Sequence, residues 1–220
     1  MFEASLRNTF NNDWATIGFV LIFIMLAFLK VKYKSRLFYT SSYFLMRKHL
    51  KINFNADKRI ILNIYQFLFF LIQALLLALF TYAIIEKFNI IISNTAKKSL
   101  ILLFISFLGY IFGYYAITYL IAQLFDIKNV LKRIVYNRTG YFNNLIIWFL
   151  PFVILAYYSP ILQQFWLNTS IIVFLILLTF RYVLIISGNK KLILTHFFYF
   201  ILYICTLEIA PLILIFKLTI

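Results

Sequence analysis

Acidic residues are scarce in this chain, and so are cysteine, proline and glycine. Of 220 residues, six are Asp or Glu, one is Cys, three are Pro and five are Gly. A single cysteine cannot form an intrachain disulfide or a CxxC metal site, so Cys205 reads plainly as a small apolar packing residue. The acids are scattered, and no apolar run holds a pair of them at metal-ligand spacing. Membrane phosphotransferases and metalloproteases generally need such pairs for metal or acid–base work. P-loop, GxGxxG, HExxH and GxSxG patterns are missing too. These absences argue against a conventional hydrolase. No catalytic residue, metal ligand or cofactor site is assigned.

Charge as a whole is also thin, at 12%, while 65% of residues are hydrophobic and mean hydropathy is +0.96. Soluble domains run near half apolar and about a quarter charged. A soluble core of this length could not hide so much Phe, Ile and Leu, so the solvent is lipid. The aromatic excess fits a biased composition better than a ligand signal. The charge that is present is basic, with 21 Lys and Arg and a net charge of +15. In a soluble protein that balance would suggest nucleic acid. In a membrane protein it marks topology and contact with anionic lipid. The expected partners are therefore membrane lipids and other integral membrane proteins, and not nucleic acid.

Hydropathy divides the chain into a single domain with spans over 14–29, 60–85, 99–125, 141–158, 168–187 and 192–217. The fold class is an all-α integral membrane bundle of about six helices. The stretch 30–59 is the most basic. Within it Leu37, Phe38, Ser41, Phe44 and Leu45 fall on one helical face, which predicts a short interfacial amphipathic helix. Arg36, Arg47, Lys48 and Lys51 would face lipid headgroups or an acidic partner. In the second span Gln66 and Gln73 are seven apart and share a face, a spacing suited to interhelical hydrogen bonds. In the third, Ser106, Gly109, Gly113 and Ala116 form a small-residue stripe, which predicts close packing within the chain. Residues 126–140 read as a basic loop with a turn-like end at 137–140. Pro151 predicts a kink in the fourth span.

With six spans, fifteen basic residues fall in the first, third and fifth loops, and five lie on the other side. The positive-inside rule then places those loops in the cytoplasm and both termini outside.

Ionisable residues inside spans are costly, so a role is their default reading. Arg181, His196 and Glu208 qualify. At ~1.5 Å per residue, Arg181 lies ~9 Å from the cytoplasmic end of its helix and His196 ~6 Å. Glu208 is ~24 Å from that end, which disfavours a straight Arg181–Glu208 ion pair and leaves Tyr157, Tyr158 or Gln73 as better-matched partners. On the last span His196, Tyr199, Tyr203 and Thr206 line a polar stripe, while Cys205 and Glu208 share another face. Pro211 frees the carbonyl of Leu207 beside Glu208, a combination able to hold a proton, cation or amine. The structural reading is a neutral, hydrogen-bonded acid that fixes packing. For Arg181 and His196 it is snorkelling or contact with lipid phosphate.

The ending Cys205-Thr206-Leu207-Glu208-Ile209-Ala210-Pro211, with His196 upstream and Lys217 beyond, resembles an uncharacterised integral-membrane family of Bacteroidota. Length and span layout extend the resemblance over most of the chain. It implies an inner-membrane location and no activity. The functional expectation is a non-enzymatic inner-membrane subunit of a larger envelope complex for secretion, motility or lipid handling. The alternative is a small transporter or lipid-linked transferase that uses Glu208.

Overall fold

A computed structural model describes residues 13–42, 64–87, 96–124, 128–159 and 163–188. Among the described residues there are six helices and no strand: α1 Asp13–Lys32, α2 Lys34–Ser41, α3 Ile64–Lys87, α4 Ala96–Leu124, α5 Lys128–Tyr158 and α6 Gln163–Gly188. Five are long and apolar enough to cross a membrane: Asp13–Lys32, Ile64–Lys87, Ser99–Leu120, Val135–Tyr158 and Gln164–Ser187. Lipid offers no partner to a backbone N–H or C=O, so long runs of Leu, Ile and Phe satisfy those groups internally, as helices. The expected sixth span over 192–217 lies outside the described residues.

Successive long helices alternate in direction. Trp14 at the start of α1 packs edge-on against Tyr82 near the end of α3, with centroids 4.5 Å apart, and against Tyr157 at the end of α5. At the opposite end Tyr39 and Tyr136 pack on Tyr141, Leu184 and Ile185, joining α2, the start of α5 and the end of α6. The central helix is α3, with 61% of its span buried, against 11% for α4 and 22% for α6. Phe80, Phe149 and Phe174 form the aromatic centre, with Phe149 4.8 Å from Phe80 and 4.9 Å from Phe174. Gly18 lets α1 approach α3 closely, since a Cβ there would meet Leu79 Cδ1 at 3.3 Å.

Three expectations are revised. Residues 128–140 are not a loop but the first turns of α5, and the supposed turn at 137–140 is helical. A mid-helix glycine costs only about 1 kcal/mol relative to alanine. Gly140 is outweighed by its neighbours Arg138 and Thr139, which are fastened to α4 through Tyr114 and Tyr115. The small-residue stripe of α4 is also placed differently. Among the described residues, a Cβ at Gly109 or Gly113 would meet nothing within 4 Å. Helix α4 instead meets α3 through Ile111, Phe104, Phe107, Leu108 and Tyr115, packed around Phe70 and Ala74. Large side chains gain more dispersion contact at that seam than the small stripe could.

The third revision concerns α2. It follows α1 after a break at Tyr33, whose φ of −132° and ψ of 42° are not helical. The residues described on the predicted face are divided between the core and the exterior. Leu37 packs on the core, whereas Phe38 is 68% exposed. Thr40 is the buried residue, and it is held by hydrogen bonds. Its hydroxyl meets Tyr65 Oη at 2.6 Å, and its carbonyl accepts from Asn144 Nδ2 at 2.5 Å. Trp148 Nε1 donates to the Ser41 carbonyl at 3.3 Å. These bonds set the orientation of so short a helix against its apolar periodicity.

Candidate functional site

The predicted face sharing of Gln66 and Gln73 is what the interior uses. Gln73 Nε2 donates to Asn143 Oδ1 at 2.5 Å, and Asn143 Nδ2 donates to Gln66 Oε1 at 3.4 Å. Gln73, Asn143 and Asn144 are all buried. This chain of amides runs between α3 and α5 and then reaches α2 through Asn144. Each such bond between membrane helices contributes about 0.6–2 kcal/mol. Asn143 and Asn144 escaped sequence reasoning, although two adjacent asparagines within an apolar run were a visible signal.

Two openings flank this network. The larger is a groove of about 1040 Å³ beneath the α1–α2 corner. Phe23, Leu26 and Ala27 of α1 and Ile147 of α5 give it apolar walls, while Lys30, Lys32, Lys34 and Arg36 supply basic groups. Lys30, Lys32 and Lys34 are exposed, and Arg36 is half-buried. The ring of Tyr33 lies 5.9 Å from both the Lys32 ammonium and the Arg36 guanidinium, so the corner residue gathers the cations around itself. The break at Tyr33 is what turns α2 back and opens this space.

The smaller is a cavity of about 200 Å³ among α3, α4, α5 and α6. It is lined by Arg138 and Arg181 together with Tyr110, Tyr114, Tyr115, Thr139 and Gln73. Arg181 is 5% exposed, so it does not snorkel to the surface as the sequence suggested. Its guanidinium sits 4.7 Å from the Phe142 ring and 5.5 Å from Tyr182. Arg138 stacks on Tyr114 at 4.1 Å and donates to its hydroxyl. Tyr115 and Thr139 share a hydrogen bond of 2.6 Å. Arg138 had been assigned only to a loop, and helical continuity through 128–140 is what brings it here.

The other predicted site residues divide as follows. Arg36 lies in the groove. Arg47, Lys48 and Lys51, and His196, Tyr199, Tyr203, Cys205, Glu208 and Pro211, lie outside the described residues. The partners suggested for Glu208 have engagements of their own. Tyr157 donates to the Leu79 carbonyl at 2.7 Å, Tyr158 to Thr16 at 2.7 Å, and Gln73 to Asn143. No group of three or more His, Cys, Asp or Glu able to hold a metal occurs among the described residues.

Apolar spans, a buried amide network and cation-lined openings define an α-helical polytopic membrane protein. The chain belongs to the family described as DUF4271, a domain of unknown function, whose model matches residues 15–219. Neither a curated protein nor a solved structure matches it.

Proposed function

We propose that this protein is a non-enzymatic, lipid-binding subunit of a larger assembly in the bacterial inner membrane. The α1–α2 groove is the observation that carries the reading. Its walls are apolar where an acyl chain would lie, and its cations stand where a headgroup phosphate would sit. Its volume is ample for one chain of a phospholipid, being at the upper end of the ~300–1,000 Å³ typical of ligand pockets. A Lys or Arg near an anionic membrane surface contributes about 1 kcal/mol of attraction, so the four basic residues together give a meaningful preference for anionic over zwitterionic lipid. An orientation with this basic end in the cytoplasm follows from the charge distribution.

The test is mild-detergent purification of the tagged protein from its native membrane, followed by mass spectrometry of bound protein and extracted lipid. The expected result is a stoichiometric membrane-protein partner together with enriched anionic phospholipid. A Lys30→Gln, Lys32→Gln, Lys34→Gln triple variant should lose the lipid enrichment. A lone monomer carrying lipid in bulk-membrane proportions would overturn the proposal.

A further inference from the structure

The second opening points to a ligand of different size. The smaller cavity places two guanidiniums from different helices, Arg138 of α5 and Arg181 of α6, around one space. Both belong to the same level of the bundle. Arg138 is three residues inside Val135, and Arg181 is six residues before Ser187, so they lie ~5 and ~9 Å from the ends of their apolar spans. Aromatic rings hold both from the side. A stacked guanidinium keeps its plane fixed, and its N–H fork works within that plane. Such a fork matches the oxygens of a phosphate or carboxylate in bidentate fashion. Tyr110, Tyr114, Tyr115 and Thr139 bring hydroxyls to the lining, with Tyr115 and Thr139 bonded to each other.

Size and charge narrow the ligand. About 200 Å³ is less than the ~300 Å³ at which pockets for drug-sized molecules begin, so a nucleotide does not fit. Two fixed positive charges match a dianion better than a carboxylate, and guanidiniums reaching in from two helices suit a tetrahedral group. Tyr110 and Tyr182, the more exposed lining residues, lie within the spans of α4 and α6. Among the described residues, the outer side of the cavity therefore faces the bilayer.

We propose that the Arg138–Arg181 cavity is a binding site for a phosphate monoester, carried on a lipid or free. It is separate from the α1–α2 groove and does not depend on the groove's occupant.

The test uses the full chain in detergent. Binding of phosphatidic acid, a lipid monoester, is compared by native mass spectrometry with phosphatidylglycerol, a diester. Inorganic phosphate is titrated separately by thermal unfolding at constant ionic strength. Preferential binding of one phosphatidic acid supports a lipid-borne ligand, and stabilisation by inorganic phosphate alone supports a free one. In either case Arg138→Gln and Arg181→Gln should weaken binding about tenfold or more, with Arg181→Lys between them and the native chain. Lys87→Gln, at the opposite end of the bundle and in neither opening, should leave this binding unchanged. Should Arg181→Gln fail to fold, Arg138→Gln decides, because its side chain is the less buried. The proposal fails if neither probe binds, if folded arginine variants bind as the native chain does, or if Lys87→Gln causes the same loss.

Discussion

At the end of the bundle where α1 begins and α3 finishes, Trp14, Phe19, Tyr82, Tyr157 and Tyr158 pack edge to face. Their polar atoms are spent on neighbours, Tyr157 on the Leu79 carbonyl and Tyr158 on Thr16. The acids of the described residues, Asp13 and Glu86, are both at this end, and Lys87 donates to Asn168. The opposite end is built from other material. Lys30, Lys32, Lys34 and Arg36 crowd the α1–α2 corner, Arg138 and Arg181 line the inner cavity, and amides run between the helices. Both ends bury side chains, and among the described residues the groove and the cavity lie with the cations of the basic end. The contrast separates two tasks. Aromatic packing joins the helices at one end, and the groove and cavity lie at the end where the cations gather.

That contrast can be broken or sharpened by substitution, with stability read from unfolding in mixed detergent micelles. The largest effect should come from the aromatic half. Phe149 is fully buried between Phe80 and Phe174, so Phe149→Ala should cost about 3–5 kcal/mol. A loss no greater than that of a surface variant would remove the locking role. Next comes the α1–α3 contact. Leu79 is fully buried and already 3.3 Å from a Cβ at position 18, so Gly18→Leu should cost about 1–3 kcal/mol by overpacking.

The polar end should respond more mildly. Gln73→Leu leaves Asn143 without its donor and should cost about 1–2 kcal/mol. Adding Asn143→Leu should cost less than the two single changes together, because the buried amide left behind by either one is then gone. Additive losses would show that the two side chains do not act as a pair. The smallest effect is expected on the outer face of α4. Gly109→Leu and Gly113→Leu should shift stability of the isolated chain by no more than about 0.5 kcal/mol. A larger loss would mean that this face is packed against protein.

Much of this organisation was legible beforehand. The apolar runs announced the five spans now described, and the pairing of Gln66 with Gln73 through a partner helix followed from their seven-residue spacing. Basic residues at 30, 32, 34 and 36 marked a cation-rich corner. Other features were read wrongly because local signals competed with contacts made far away in sequence. Asn137 to Gly140 carries turn chemistry, yet Tyr114 and Tyr115 hold Arg138 and Thr139 in a helix. Leu37 and Phe38 were assigned one apolar face, and hydrogen bonds to Thr40 from Tyr65 and Asn144 rotate the helix away from it. Gly109 and Gly113 resembled a packing motif, and among the described residues the seam between α4 and α3 uses the bulkier side of α4.

The sequence by itself determined that the solvent is lipid, that the spans are helical, and that positive charge gathers at one end. Those results need only composition and local spacing, because hydrocarbon leaves a backbone few ways to satisfy its polar groups. Tertiary structure decided that Arg138 and Arg181 line one cavity, that Thr40 is buried, and which face of α4 touches α3. Lipid tails are as apolar as leucine, so hydrophobic periodicity does not distinguish a face that meets protein from one that meets the bilayer. Only the packed helices settle that, through dispersion contacts and a few buried hydrogen bonds.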